Sequence, residues 1–333
     1  MPAAPITLAA TLGDINGIGP EVCLKAAASP KRPVGVRLVL VGDETALAAA
    51  GKAARIPAPP PWQPGQPWPR GASTVVWNPG GVRPPRPAPG KIRADASRAA
   101  MHWVEQAVIA CEIGIFDGLV TAPVCKEGLK AARIDAPGHT EFIAALCGAS
   151  RYAMVLRGGG LTVALATRHI PLKAVAGAVT VASIRDAALP LHHLLRDLGV
   201  DQPRIAVCGL NPHAGDGGAI GDEDRLVIAP AVRALRRAGL DASGPHAADT
   251  VFWHARAGRY DGVVAMYHDQ GLAPLKLVRF EDGVNITAGL RIVRTSPDHG
   301  TAFDIAGRNR ANPSSMLAAI HTARQLARRR RAP

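Results

Sequence analysis

Three histidines follow three separate apolar runs of the sequence. His169 lies two residues after LTVALAT, His213 directly follows RIAVCGLNP, and His268 is the second-last residue of DGVVAMYHD. Imidazole nitrogens are common ligands of divalent metals, and a catalytic metal needs about three protein ligands with a position left for substrate. The three histidines therefore indicate a candidate metal site. The competing interpretation is that each is a hydrogen-bonded structural or surface residue, since their sequence separations carry no local geometry.

The elements that would position these histidines form an alternating pattern. Helix-like segments at 96–115, 184–198 and 222–238 lie between short apolar runs, and this alternation predicts an α/β protein whose sheets are covered on both faces. Ligands of open α/β sheets bind outside the carboxyl ends of the strands, where this chain places polar residues. The runs are ITLAATLG, VRLVLVGD, DGLVTAP, LTVALAT, RIAVCGLNP and DGVVAMYHD.

Length and composition limit the class of protein. The length of 333 residues predicts roughly two domains. The composition, 47% hydrophobic and 20% charged, excludes a disordered protein, a collagen or a coiled-coil rod. No apolar stretch of about eighteen residues is free of charges or breakers, so we expect no membrane span. The N-terminus has no basic region before an apolar run, and a cytoplasmic location is predicted.

Charge and cysteine content add two expectations. The net charge is +13, but five arginines cluster at 324 and 328–331, and aromatic residues are not interleaved with the basic ones as single-strand binding requires. Nucleic-acid binding is therefore not expected as the main function, and a basic nucleic-acid or anion-binding protein remains the alternative of another class. The five cysteines have no CxxC spacing and are predicted to be small buried apolar residues.

Two other segments allow more than one interpretation. The glycine-rich stretches 13–19 and 214–221 do not match G-x-G-x-x-G, so they are either plain turns or loops that present backbone N–H groups to phosphate. Residues 57–89 hold 12 of the 29 prolines and three of the five tryptophans. This composition excludes a long helix and favours a packed irregular connection over a mobile loop.

The loops considered together resemble, in order, the motifs of the 4-hydroxythreonine-4-phosphate dehydrogenase family. The resemblance runs from about residue 6 to residue 312 and leaves out only the Pro-rich segment and the arginine tail. It rests on GDINGIGPE, TAPVCKEGL, PGHTEFIA, LATRHIPL, GLNPHAGDGG, GPHAADT, YDGVVAMYHDQGLAPLK and GVNITAGLRIVRTSPDHGTAFDIAG.

This resemblance implies an isocitrate-dehydrogenase-like α/β/α fold of two domains with a cleft between them. The first domain is expected to comprise 1–133 and 296–333, and the second 134–295 with the metal and dimer contacts. A homodimer with its active site at the subunit interface is also implied. The implied reaction is oxidation of 4-phosphohydroxy-L-threonine to a 2-amino-3-oxo acid, which loses CO2 to give 3-amino-2-oxopropyl phosphate for pyridoxal phosphate synthesis.

The resemblance also implies the groups that perform this reaction. They are NAD or NADP, with unassigned binding residues, and a divalent metal (Zn, Mg or Co) held by His169, His213 and His268, the last expected from the partner subunit. Asp249 and Asp269 are candidates for orienting an imidazole or relaying a proton. The substrate contacts carried over from the family are His139, Thr140, Lys276, Asn285 and Arg294.

Two departures from the family pattern bear on substrate choice. Ile15-Asn16 stands where Pro-Ala or Pro-Ser is more usual, and Arg168 directly precedes His169. A related enzyme acting on D-threonate or D-erythronate 4-phosphate is therefore the main alternative. A dihydrodiol dicarboxylate is the weakest alternative, because the PGHTEF and TAPVCKEG motifs favour a phosphorylated substrate.

Overall fold

The computed structural model describes residues 4–83, 86–136 and 138–331. The strands are β1 (Ile6–Thr11), β2 (Val36–Val41), β3 (Thr74–Trp77), β4 (Gly118–Thr121), β5 (Ala153–Gly158), β6 (Leu161–Leu165), β7 (Arg204–Cys208), β8 (Asp241–His246), β9 (Gly262–Ala265), β10 (Val284–Ala288) and β11 (Arg294–Pro297). The helices are α1 (Gly19–Ala28), α2 (Glu44–Ala54), α3 (Ala94–Glu112), α4 (Lys126–Ala131), α5 (His139–Leu146), α6 (Val175–Ala178), α7 (Val181–Asp197), α8 (Ala229–Arg237), α9 (Ala248–Arg256), α10 (His268–Val278) and α11 (Ser314–Arg331). The α/β class predicted from the sequence is confirmed.

The chain divides into two compact units, Met1–Ala149 with Leu290–Pro333, and Ser150–Gly289. The sequence predicts the boundaries at 133/134 and 295/296 instead, so segments 134–149 and 290–295 change sides. The physical reason is local pairing. Helix α5 packs against α3, and β11 pairs in parallel with β4, so both segments are held by the first unit.

The sheet of the first unit is parallel and has the strand order β3-β2-β1-β4-β11. Its central strand β1 is apolar and almost completely buried, as is typical of a parallel sheet with both faces covered. Helices α3 and α11 pack against β1 and β4, and α1 packs against α2 and α11. The carboxyl ends of β1 and β4, which register Thr11 with Thr121, therefore lie at the same edge.

The sheet of the second unit is mixed and has the strand order β10-β5-β6-β9-β7-β8. Strand β5 is antiparallel to both β10 and β6, whereas β6, β9, β7 and β8 run parallel. Helices α7, α9 and α10 pack on this sheet. Its core includes Leu156, Val163, Phe252 and Leu272, which are at most 6% exposed. Because β6, β9 and β7 are parallel neighbours, the loops after them leave the same edge.

The Pro- and Trp-rich segment is a packed connection, as the sequence predicts, for all but its residues 84 and 85, which lie outside the described residues. The Trp62 backbone N–H donates to the Val76 carbonyl at 2.8 Å, and the Val76 N–H donates to Pro60 at 3.0 Å. The Trp62 indole is 8% exposed and lies 5.5 Å from the Trp68 ring, centroid to centroid. Residues 60–62 of the segment therefore pair with β3, which belongs to the same segment, at the outer edge of the sheet, a position that would otherwise present unpaired backbone groups.

Part of the basic tail has a structural use. Arg331 forms a two-pronged ion pair with Asp117 at 2.5 Å and also donates to the carbonyl of Pro5, and Arg330 donates to the carbonyl of Arg291 at 2.9 Å. These contacts tie the end of α11 to the rest of the first unit. The five cysteines are free and buried, as predicted.

Among the described helices, none alone has the length and apolar character needed to cross a membrane. One pair, Leu172–Ala178 and Val181–Asp197, meets that criterion jointly and is bent by 90° at the break.

Candidate active site

Two of the three predicted metal ligands lie side by side in the second unit. The rings of His169 and His268 have centroids 5.5 Å apart with an interplanar angle of 45°. Strands β6 and β9 pair in parallel with Leu165 opposite Ala265, so residues that follow these strands meet at the same edge. The expectation that His268 reaches the metal from the partner subunit concerns a dimer, and it stays a prediction.

The exposed Asp269 contacts one member of this pair, His268. The Nδ1 atom of His268 lies 2.7 Å from the Asp269 carboxylate, and such a bond fixes the ring and leaves Nε2 directed elsewhere, as in metal-binding imidazoles. Asp249, the other predicted carboxylate, lies exposed in the first turn of α9. The role of either carboxylate in proton transfer stays a prediction.

His213 is carried by a strained turn after β7. Residues 213–217 all have positive φ, and His213, Ala214 and Asp216 are not glycines, with φ of 53°, 54° and 44°. A side chain in this left-handed region costs roughly 1–2 kcal/mol. In the part of the chain that the structure describes, no three His, Cys, Asp or Glu side chains are grouped so as to hold one metal ion. His213 as the third ligand therefore stays a prediction.

The strain of this turn leads to a stability prediction. We expect Ala214→Gly to raise the free energy of unfolding by about 1 kcal/mol, because glycine adopts positive φ without the Cβ penalty. The matched control is Ala219→Gly, at the end of the same turn with φ of −69°, where glycine should cost about 0.5–1 kcal/mol. Urea unfolding of both variants tests the difference, and equal shifts would contradict the assignment of strain to residue 214.

A buried arginine organises the candidate substrate residues of the first unit. Arg294, at the start of β11, is 3% exposed. Its guanidinium donates to the Thr121 hydroxyl at 2.7 Å and contacts the Thr140 hydroxyl at 3.5 Å. Thr121 is the last residue of β4, where polar residues are expected, but it was not among the predicted site residues. The structure thus brings Arg294 and Thr140 together, as the family pattern implies.

His139 opens α5 beside this arginine. Its Nε2 atom is buried and has no hydrogen-bond partner in the structure. Burial, and secondarily the positive charge of Arg294, lowers the pKa of His139 to about 3, while burial lowers the pKa of Arg294 to about 10. At neutral pH the pair is therefore a neutral imidazole next to a cation. Pro137, which precedes it in the PGHTE motif, lies outside the described residues.

The remaining two predicted substrate residues lie in the second unit. Lys276, in the last turn of α10, is half-buried with its Nζ 5.9 Å from the centre of the Phe280 ring. Asn285 lies in β10, and its Oδ1 atom is buried without a hydrogen-bond partner. A buried carbonyl oxygen of this kind calls for a donor that the protein does not supply.

Asn16 and Arg168, which depart from the family pattern, both make contacts within the protein. The buried Asn16 amide accepts from the N–H of Ala88 at 2.7 Å and donates to the carbonyl of Lys91 at 2.9 Å, so it anchors the segment before α3. The Arg168 guanidinium stacks over the Tyr152 ring at 4.7 Å. A change of substrate does not follow from these contacts.

The glycines of the first loop serve the backbone of the protein. A Cβ at Gly13 would lie 2.3 Å from the carbonyl oxygen of Pro123, and one at Gly19 would lie 2.0 Å from that of Leu12. Gly13 also has a φ of +65°. Turn geometry and close packing therefore account for these two residues, and they do not identify a dinucleotide site.

The chain is similar over nearly its whole length to proteins that share one name. The chain is 45% identical to the 4-hydroxythreonine-4-phosphate dehydrogenase of Acidithiobacillus ferrooxidans over 330 residues, 97% of this chain and 96% of the relative. Crystal structures of 4-hydroxythreonine-4-phosphate dehydrogenases from Klebsiella pneumoniae and Burkholderia phymatum match with TM-scores of 0.86 and 0.83 and identities of 38% and 36%. They cover 98% and 97% of this chain, and 99% of each of those chains is matched.

The fold is thus that of an α/β dehydrogenase with a mixed sheet and helical layers. Residues 36–323 match the model of one family, the pyridoxal phosphate biosynthetic protein PdxA. The chain belongs to this family, and the resemblance inferred from its motifs is confirmed.

Proposed function

We propose that this protein is an NAD- or NADP-linked, metal-dependent dehydrogenase that oxidises 4-phosphohydroxy-L-threonine to 2-amino-3-oxo-4-phosphooxybutanoate. Loss of CO2 from this product gives 3-amino-2-oxopropyl phosphate for vitamin B6 synthesis. The observation that carries the proposal is the buried, unpartnered Nε2 of His139 beside the buried Arg294. The relatives at up to 45% identity bear the name of this activity.

The first unit supplies groups suited to an anionic end of the substrate. Arg294 remains a cation at neutral pH, and the guanidinium fork matches carboxylate or phosphate oxygens. The neutral imidazole of His139 adds a hydrogen bond without a second buried charge. Helix α5 begins at His139 without a side-chain cap, which leaves its first backbone N–H groups available to an anion. We assign phosphate binding to His139, Thr140 and Arg294.

The second unit supplies the donors for a divalent metal. Two adjacent imidazoles, one held by Asp269, fit the nitrogen ligands that zinc and cobalt prefer. His169, His213 and His268 would hold the ion, the last from the partner subunit, as the family pattern implies. When bound, the ion supplies polarisation of the substrate hydroxyl and the dinucleotide supplies the acceptor for hydride. Lys276 and Asn285 are assigned to binding and orienting the substrate, through a positive charge and an amide.

The proposal extends to assembly and location. We infer a homodimer whose active site lies at the subunit interface, and a cytoplasmic enzyme. Family membership supports both inferences. Sedimentation at micromolar concentration tests the first, and a monomer that is fully active would contradict it.

The proposed substrate is tested by NADH formation with the metal-loaded protein. We expect kcat/KM for 4-phosphohydroxy-L-threonine to exceed that for D-threonate 4-phosphate and D-erythronate 4-phosphate by at least about a hundredfold, or about 2.7 kcal/mol of transition-state discrimination. Repeating the assay with NADP and with Zn, Mg or Co identifies the preferred cofactor and metal.

The other outcomes distinguish the alternatives. A preference for either sugar-acid phosphate would overturn the proposed substrate and retain the reaction type. If no substrate is turned over, retention on DNA, measured against salt for the wild type and for a variant with the exposed Arg328 and Arg329 replaced by glutamine, tests the nucleic-acid alternative. Loss of retention in the variant would assign it to the basic end of α11.

A further inference from the structure

One glutamine connects two of the loops that carry predicted metal ligands. Gln270 lies two residues after His268 and uses both ends of its side-chain amide. Its Nε2 donates to the carbonyl oxygen of Gly209 at 2.8 Å, and its Oε1 accepts from the backbone N–H of Met266 at 2.7 Å. Gly209 directly follows β7 and Met266 directly follows β9, so one side chain spans the ends of two neighbouring strands.

A threonine extends this connection to the third loop. Thr167 lies two residues before His169 and is 7% exposed. Its hydroxyl donates to the carbonyl oxygen of Met266 at 2.7 Å, and its backbone N–H donates to the same oxygen at 3.1 Å. The peptide groups of Met266 are therefore held by Gln270 on the N–H side and by Thr167 on the carbonyl side.

The far end of the connection is also fixed. The N–H of Gly209 donates to the carbonyl of His246 at 2.7 Å, and a Cβ at Gly209 would lie 2.7 Å from Asp224 Oδ1. The buried Asp224 carboxylate accepts the backbone N–H groups of Leu210 and Asn211 at 2.8 and 3.1 Å. Gly209, which precedes the strained turn of His213, is thus fixed by its bond to Gln270, its bond to His246 and its close approach to Asp224.

We propose that Gln270 is a positioning residue for the metal site, acting through the backbone at Gly209 and Met266 to hold the loops of His213, His268 and His169 in one register. This inference rests on the proposed metal-dependent function. Each of its bonds goes to a backbone group within a few residues of a predicted ligand. An apolar side chain of the same length could fill the space of Gln270. The N–H of Met266 and the carbonyl of Gly209 would then lose these hydrogen-bond partners, and the loops that they begin would be held less firmly.

The test measures the binding of Co2+ alone to the full-length, metal-free protein, by competition with a chromophoric chelator and by the visible spectrum of bound Co2+. Gln270→Met keeps the side-chain length and removes both hydrogen bonds. Gln270→Glu keeps the acceptor for Met266 and replaces the donor to Gly209. The matched control is Gln202→Met, at an exposed glutamine of the same unit. Thermal unfolding identifies the temperatures at which each variant is folded.

We expect both Gln270 variants to bind Co2+ at least about tenfold more weakly, with an altered spectrum, while Gln202→Met matches the wild type. A folded Gln270 variant with unchanged affinity and spectrum overturns the inference, even if its melting temperature falls. If Gln270→Met does not fold, Gln270→Glu and Thr167→Val decide by the same criterion. Absence of Co2+ binding by the wild type overturns both this inference and the proposed metal site. Co2+ binding without turnover of 4-phosphohydroxy-L-threonine contradicts the proposed substrate alone.

Discussion

Replacement of Arg294 by lysine is expected to lower kcat/KM for 4-phosphohydroxy-L-threonine by about 100- to 1000-fold, or about 3–4 kcal/mol. The guanidinium contacts the Thr121 and Thr140 hydroxyls while remaining a buried cation. A lysine ammonium is a single charged point on a flexible stem and cannot retain this fork while meeting two phosphate oxygens. We expect most of the loss to appear in KM, because the contact binds the anionic end and not the reacting carbon.

The control for this variant lies three residues earlier. Arg291→Lys changes an exposed guanidinium that donates to the Cys147 carbonyl at 2.8 Å, and it should leave kcat/KM within about threefold of the wild type. Circular dichroism and thermal unfolding show whether each variant is folded. A folded Arg294→Lys enzyme with wild-type kcat/KM would remove Arg294 from the substrate site.

Thr121→Val separates the charge of Arg294 from its orientation. The change keeps the shape of the side chain and deletes the hydroxyl that accepts from Arg294 at 2.7 Å. We expect about a tenfold loss in kcat/KM, smaller than that of Arg294→Lys, because the cation stays while its orientation loosens. A loss equal to that of Arg294→Lys would indicate that orientation alone carries the effect.

The strands that the sequence predicts are those with unbroken apolar runs. All six became strands, because a central parallel strand is buried on both faces and needs such a run. Five strands were not predicted: β3 (TVVW) and β5 (AMVLRG), whose short apolar runs were not assigned, and β8 (DASGPH), β10 (VNITA) and β11 (RTSP), which carry polar residues or glycine. Strands β10 and β11 pair with β5 and β4 from distant parts of the chain, so no local period marks them.

The same limit applies to the candidate site. The meeting of His169 and His268 follows from the strand order β6-β9-β7, which composition and periodicity do not contain. For that reason the family pattern, and not the periodicity, identified the residues, and the expectation that His268 comes from the partner subunit stays a prediction. Thr121 and Gln270 were missed because their roles consist of hydrogen bonds to residues far along the chain.

The stability of the protein should fall on mild acidification because of one histidine. Burial lowers the pKa of His139 from its ordinary value of 6.5 to about 3. Between pH 6.5 and pH 3, His139 is therefore protonated in the unfolded chain and neutral in the folded protein. Its contribution to the free energy of unfolding is unchanged above pH 6.5 and decreases as the pH falls toward 3. At pH 5.0 the loss from this group is about 2 kcal/mol.

His139→Gln isolates that contribution, since glutamine has no titrating group. We expect the free energy of unfolding in urea to drop between pH 7.5 and pH 5.0 by about 2 kcal/mol less in the variant than in the wild type. Burial also lowers the pKa of His192 and His246, but both are present in the two proteins and cancel in this difference. His321→Gln, at an exposed position, controls for the loss of an imidazole. Parallel pH curves for the wild type and His139→Gln would show that His139 accepts a proton in the folded protein, and the neutral imidazole assigned to the phosphate would then be wrong.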